Sequence, residues 1–76
     1  MIRIDIDWQE DTIDRLGVSN FAQAMRAKLR KKRLWGKYGW ASSAVCTVGQ
    51  LKRMLQRHIE KGDMVDVGNS AMMIYN

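Results

Sequence analysis

Proline, cysteine and histidine are scarce in this 76-residue sequence, which has no proline, one cysteine and one histidine. A lone Cys46 excludes an intramolecular disulfide and leaves no cysteine set for a zinc site. The lack of proline favours a helical chain in which glycines mark the ends of helices. No apolar run has the length of a membrane span and no signal peptide is recognisable, so we expect one cytoplasmic domain.

Acidic residues are nearly absent from the middle of the chain. Residues 19–61 hold eleven Lys or Arg and one acid, whereas residues 1–18 hold five acids and two arginines. Cations are densest between residues 26 and 37, a stretch that we call the basic stripe. Its members are Arg26, Lys28, Arg30, Lys31, Lys32, Arg33 and Lys37, and Tyr38 follows directly.

Clustered cations beside aromatic rings are typical of nucleic-acid binding, in which phosphates release counterions and bases stack on rings. The same pattern fits contact with an acidic protein surface, or a solvated helix face with no binding role. These three interpretations stay open. We expect the seven residues of the basic stripe, together with Tyr38, to form the contact surface. We expect Trp40 to anchor the core instead.

The predicted fold is mainly α, a small bundle of three to four helices with an N-terminal strand or extended arm. Apolar and polar residues alternate over residues 2–8, which predicts a strand, and such a strand would favour a homodimer through its edge. We expect Gly17 to close a short turn and Ser19 to cap the next helix. The expected segments are an acidic arm (1–18), a basic helix (19–35), an aromatic loop (36–46), a helix (47–61) and a core helix (63–75).

The last two helices carry clear end signals. Thr47 and Gln50 have the spacing of a capping box, and Gly62 suits a left-handed C-terminal stop. Asp63 then caps the last helix, with Asp66 favourably placed in its first turn. We expect Asn69 to hydrogen-bond to a neighbouring helix, and His58, close to a helix C-terminus, to favour its charged form.

Asp63 and Asp66 also suggest a chemical alternative. Their i, i+3 spacing resembles an acidic element of the MazG-type all-α nucleotide pyrophosphohydrolases, which hold Mg²⁺ with carboxylates from two helices. That resemblance implies a second carboxylate pair, for which Asp11 with Asp14 is the nearest substitute. These two aspartates are therefore weak metal candidates, and we predict no cofactor.

Four segments together resemble a family of small phage and prophage proteins. They are Phe21–Met25, Gly36–Trp40, Cys46-Thr47, and a stretch from His58 to Met73 that follows H-x-x-K-G-D-x-V-D-V-x-N. The resemblance covers about residues 20 to 75 and departs from the family pattern at Met64, Gly68 and Ser70, where proline, alanine and phenylalanine are usual. It implies a small accessory protein.

The predicted function is a non-catalytic binding module, an inhibitor of a host nucleic-acid-handling or defence complex. Its partner would be a host or phage protein complex, or nucleic acid, and not a membrane. The alternatives are a Mg²⁺-dependent nucleotide pyrophosphohydrolase and a plain nucleic-acid-binding protein. A ribbon-helix-helix repressor is disfavoured because residues 10–16 are too short for its first helix.

Overall fold

Three helices make up the fold in this computed structural model, which describes the backbone of residues 2–76 and the side chains of residues 9–76. Helix α1 spans Ile2–Leu34, α2 spans Val48–Lys61 and α3 spans Met64–Tyr75. Helix α3 lies between the other two and packs against both. The mainly α bundle and the central position of the last helix are therefore as the sequence predicts.

The predicted strand over residues 2–8 is wrong, because the backbone there is the first part of α1. The alternation that suggested a strand also places Ile2 four residues before Ile6 and Ile4 four residues before Trp8, which is helical spacing. Within the described chain every other long element is a helix, so no second strand is present to pair with. The homodimer predicted through that strand loses its structural basis.

Gly17 and Ser19 do not interrupt α1, although the sequence predicts a helix boundary at these residues. Continuing an existing helix needs one more hydrogen bond per residue, whereas a new helix must be nucleated at a large entropic cost. One internal glycine costs only about 1 kcal/mol relative to alanine. The helix therefore passes through both residues, and it ends at Leu34, before Gly36 with its positive φ of 82°.

The acidic arm extends away from the rest of the protein. Helix α1 is about 50 Å long by its rise per residue, close to the longest dimension of the 54 × 24 × 24 Å molecule. Its contact face with α3 has half-buried side chains at Ala22, Met25, Lys28 and Leu29. From Gln9 to Asn20 the side chains are exposed, with Thr12 half-buried.

The ends of α2 follow the predicted cap chemistry. The Gln50 N–H donates to Thr47 Oγ1 at 3.1 Å, and the Thr47 N–H donates to Gln50 Oε1 at 2.7 Å, which completes the capping box. Gly62 ends the helix in the left-handed conformation with φ 76°. The tight turn that follows brings α3 back along α2.

The interior is small and largely polar. Among the described residues Leu51 is the one buried hydrophobic side chain, whereas Asp66, Asn69 and Ser70 of α3 are all buried. Large hydrophobic side chains such as Ile13, Leu16 and Leu34 are exposed. The chain thus buries little apolar surface of its own, and its central helix presents polar groups to its neighbours.

Candidate functional site

Asp63 and Asp66 are fixed by the start of α3. Asp63 Oδ1 accepts from the Asp66 backbone N–H at 3.1 Å, the N-cap hydrogen bond that the sequence predicts. This places Asp66 in the first turn, facing α1 and α2. The two carboxylates lie on the side of α3 where α1 passes.

Two lysines of α1 neutralise these carboxylates. Lys32 Nζ lies 2.8 Å from Asp66 Oδ1, and Lys28 Nζ lies 3.6 Å from Asp66 Oδ2 and 3.6 Å from Asp63 Oδ2. Lysines four residues apart on α1 thus meet aspartates three residues apart on α3. We call this group, together with His58, the charge cluster.

His58 completes the charge cluster from α2. Its Nδ1 is 3.7 Å from Asp66 Oδ2. Burial lowers the pKa of His58 below its ordinary value of 6.5 and outweighs the attraction of Asp66. The expectation that the helix C-terminus favours the charged form is therefore wrong, because desolvation of the imidazole penalises the cation more strongly.

The pKa of Asp63 is lowered, as is usual for a carboxylate that caps a helix. The hydrogen bond from the Asp66 backbone N–H stabilises its charged form and lowers the pKa of Asp63 below its ordinary value of 3.8. Lys28 acts in the same direction. The folded state thus favours the charged form of Asp63.

Asn69 joins α3 to α1, as the sequence predicts. Its Nδ2 donates to the Met25 carbonyl at 3.2 Å, and the side chain is almost completely buried. Asn69 Oδ1 and His58 Nδ1 are buried atoms for which the described chain provides no hydrogen-bond partner. Both residues line the same cavity.

The pyrophosphohydrolase alternative needs Asp11 and Asp14 to lie beside Asp63 and Asp66, and the fold does not bring these two pairs together. Asp11 lies in the arm and pairs with Arg15 at 2.8 Å, whereas Asp63 and Asp66 face ammonium groups of α1. Across the described residues no group of three or more His, Cys, Asp or Glu side chains could hold a metal ion.

The structure divides the basic stripe into two parts. Lys28 and Lys32 are half-buried in the charge cluster, so their ammonium groups serve the fold. The other five cations are exposed at Arg26, Arg30, Lys31, Arg33 and Lys37.

Aromatic side chains stand beside these exposed cations. Tyr38 is 72% exposed and Trp35 is 60% exposed, with Lys31 Nζ 6.0 Å from the centre of the Trp35 ring. Trp40, expected in the core, is half-buried and lines a cavity.

That cavity is an open groove of about 550 Å³ bounded by the end of α1, the loop after it, α2 and α3. We call it the basic groove. Its wall includes apolar side chains, among them Leu29, Leu51 and Met54, and no Asp or Glu. Its five cations are Lys32, Arg33, Lys37, Arg57 and Lys61.

Arg57 and Lys61 line the basic groove but were not among the contact residues predicted from the sequence. They lie four residues apart and therefore on one face of α2. That spacing was visible in the sequence, but only the packing of α2 against α3 turns this face toward Arg33 and Lys37. The predicted contact residues Arg26, Arg30 and Lys31 lie outside the groove lining.

Comparison of the chain with protein-family models, with curated proteins and with solved structures finds no significant match. Within the described residues, no helix is both long enough and apolar enough to cross a membrane. The residues themselves therefore carry the functional argument.

Proposed function

We propose that this protein is a non-catalytic binding module that takes an anionic macromolecule in its basic groove. The observation that carries the proposal is the lining of the groove, which has no carboxylate and four exposed cations, Arg33, Lys37, Arg57 and Lys61. The fifth cation of the lining, Lys32, is paired with Asp66 at 2.8 Å and adds little net charge. The positive potential of the four exposed cations attracts a ligand of opposite charge.

Single-stranded nucleic acid is the ligand that this surface fits best. Successive phosphates suit a cluster of cations, and Tyr38 offers an exposed ring on which a base can stack. Stacking on such a ring contributes about 1–3 kcal/mol per base. If the cations at the groove contact phosphates, affinity falls steeply as salt rises.

An acidic segment of a partner protein is the second candidate. The apolar part of the groove wall, with Leu29 and Met54, favours a ligand that carries hydrophobic side chains as well as negative charge. In this case the protein acts as the sequence analysis predicts, as a cytoplasmic, phage-type inhibitor of a host nucleic-acid-handling or defence complex. Partner binding would then survive nuclease treatment.

The pyrophosphohydrolase alternative has weaker support. Ammonium groups 2.8 and 3.6 Å from Asp66 oxygens occupy the side from which a metal ion would be bound, and they repel divalent cations. This alternative predicts Mg²⁺-dependent nucleoside triphosphate turnover that is lost in Asp66→Ala. Turnover of that kind would overturn the proposed non-catalytic role.

A matched pair of charge reversals on α2 tests the proposal. Arg57→Glu reverses a groove cation, whereas Lys52→Glu reverses an exposed cation outside the groove lining. Fluorescence anisotropy with a labelled oligothymidine should show affinity falling by about tenfold or more for Arg57→Glu, an effect of about 1.4 kcal/mol. The affinity of Lys52→Glu should change much less. Both substitutions change the net charge equally, but only Arg57→Glu also removes a cation from the groove.

A second matched pair tests stacking. Tyr38→Ala should weaken oligothymidine binding, whereas Tyr75→Ala, which removes a ring that is 90% exposed outside the groove, should not. Equal effects of both members in each pair would mean that attraction is non-specific and would contradict a binding site in the groove. Binding to an acidic peptide, with the same Arg57 dependence and none to oligothymidine, would favour the second candidate.

A further inference from the structure

We propose that two copies of this chain associate through α1, antiparallel, along the face of the helix that points away from α3. The residues that we place in the contact between the two helices do not line the basic groove. The argument uses the exposure, the helical position and the charge of α1 residues from Gln9 to Leu34.

The arm needs a partner to be a stable helix. Isolated helices gain little from their own hydrogen bonds, and in proteins most helical stability comes from packing an apolar face. Between Gln9 and Asn20 the arm contains Ile13 and Leu16, each 59% exposed. Because Ile13 and Leu16 are three residues apart, they lie side by side on the helix and form one contiguous apolar patch, which is a feature of an interaction surface.

These apolar side chains point away from α2 and α3. Met25 marks the face of α1 that packs on α3, because Asn69 hydrogen-bonds to its carbonyl. Leu16 lies nine residues before Met25, which is about two and a half helical turns and hence the opposite face. Leu34, 78% exposed, lies nine residues after Met25 and shares that opposite face.

The opposite face is continuous along the helix. Ile13, Leu16, Asn20, Gln23, Ala27, Arg30 and Leu34 follow one another at alternating intervals of three and four residues. This is the spacing of the seam of a two-helix coiled coil, in which apolar residues pack at both ends and polar residues such as Asn20 fix the register. We call these seven residues the α1 seam.

Charge selects the antiparallel orientation and a second copy as the partner. Residues 9–18 contain three acids and one arginine, whereas residues 26–34 contain six cations and no acid. Lys28 and Lys32 are paired with Asp63 and Asp66, and the other four cations are exposed. A parallel pair would place these four cations of both copies side by side. An antiparallel pair places the acidic arm of each copy along the basic half of its partner, where opposite charges attract.

One contact in this arrangement is diagnostic. With Asn20 of one copy level with Gln23 of the other, Glu10 of one copy comes close to Lys31 of the other. Within one chain these two residues are about 30 Å apart along the helix. The sequence contains no lysine before Lys28, so a parallel dimer offers Glu10 no lysine side chain nearby.

The first test compares two exposed residues of the arm that are two positions apart. Leu16→Arg adds a charge to the α1 seam, whereas Val18→Arg adds the same charge to the α3 side of the helix, where Val18 is 70% exposed. Sedimentation equilibrium should give a dimer for the wild type and for Val18→Arg. For Leu16→Arg the dissociation constant should rise by about tenfold or more.

The second test needs no variant. A mixture of unlabelled and ¹⁵N-labelled protein is treated with a carbodiimide, which joins a carboxylate to an amine, and mass spectrometry identifies peptides that join the two labels. We expect a cross-link between Glu10 and Lys31 of different copies. A monomer at all concentrations, a dimer that Leu16→Arg leaves intact, or a dimer without the Glu10–Lys31 cross-link would each overturn the proposal.

Discussion

Asp66 is the residue on which the three helices converge. It is 7% exposed and lies within 4 Å of side chains from both α1 and α2. A buried charge is costly unless it is paired, and the loss of one partner leaves the other uncompensated. The polar centre of this small protein therefore depends on the whole charge cluster being present.

Asp66→Asn should lower the free energy of unfolding by about 2 kcal/mol. This is below the 3–5 kcal/mol typical of fully buried pairs, because Lys28 and Lys32 retain some access to water. Urea denaturation measures the change. Asp14→Asn, at an exposed position in the arm, is the control and should stay within about 0.5 kcal/mol of the wild type; equal effects would mean that Asp66 has no special structural role.

His58 provides a direct measure of the polarity of this centre, because it is the only histidine in the sequence. Burial lowers the pKa of His58, so the unfolded chain takes up a proton more readily than the folded one. Its contribution to stability is thus fully present above pH 6.5 and is lost as pH falls through the lowered pKa. Asp63, whose pKa is also lowered, contributes stability above 3.8 that is lost on further acidification.

The histidine resonance in an NMR titration should therefore give a pKa below 6.5. Lys61→Met should raise the pKa of His58, because Lys61 is among the cations that lower it. Lys52 lies on the same helix but does not contribute to this lowering, so Lys52→Met should leave the pKa of His58 unchanged. A wild-type pKa above 6.5 would mean that the attraction of Asp66 exceeds the effect of burial.

At the scale of elements, the two glycines of helices α1 and α3 have opposite roles. Gly17 lies inside α1, and a Cβ built there meets nothing within 4 Å. A Cβ on Gly68 would clash with the Phe21 ring and would lie 3.5 Å from Met25 Sδ. Gly68 therefore allows α3 to approach α1, whereas Gly17 only lowers helix stability.

Gly17→Ala should raise the free energy of unfolding by about 0.5–1 kcal/mol through helix propensity. Gly68→Ala should lower it by about 1 kcal/mol, because the Phe21 ring must move and lose its packing. Both changes are measured by urea denaturation. If Gly17→Ala destabilised the protein, α1 would not be a continuous helix at that residue.

A double-mutant cycle tests whether the cost of Gly68→Ala comes from its contact with Phe21. Adding Phe21→Ala should remove most of the cost of Gly68→Ala, because the ring that the new methyl group meets is gone. Additive effects of the two substitutions would contradict close packing between Phe21 and Gly68.

Helices α2 and α3 were predictable from sequence because their ends are fixed locally. Thr47 with Gln50, Gly62 and Asp63 each act within four residues of their partners. Helix α1 was mispredicted at Gly17 and Ser19, because weak local signals for a boundary were outweighed by helix continuation. The alternation over residues 2–8 spans too few residues to separate a strand from a helix.

The candidate site was only partly predictable for a similar reason. The sequence identifies Arg33, Lys37 and Tyr38 as contact residues, and these line the basic groove. The sequence does not reveal that Lys28 and Lys32 form ion pairs with Asp63 and Asp66, because these residues are more than thirty positions apart in the chain. The roles of Arg57 and Lys61 likewise depend on packing between helices.

At the scale of the whole molecule, positive charge is concentrated at one end and negative charge in the arm. The folded part holds the basic groove, and the arm holds most of the acids outside the charge cluster. Within one chain, the described carboxylates of the arm, Glu10, Asp11 and Asp14, do not line the groove. The groove therefore presents its cations to an external ligand.

The most direct test of the proposed function is chemical-shift mapping with ¹⁵N-labelled protein and a short oligothymidine. The account predicts that the largest shifts cluster on the groove residues Arg33, Lys37, Tyr38, Arg57 and Lys61, and that they diminish as salt is added. The exposed face of α2 that contains Lys52 serves as the internal reference and should be unaffected. Shifts spread evenly over all cations, or no shifts at any salt concentration, would contradict nucleic-acid binding in the groove.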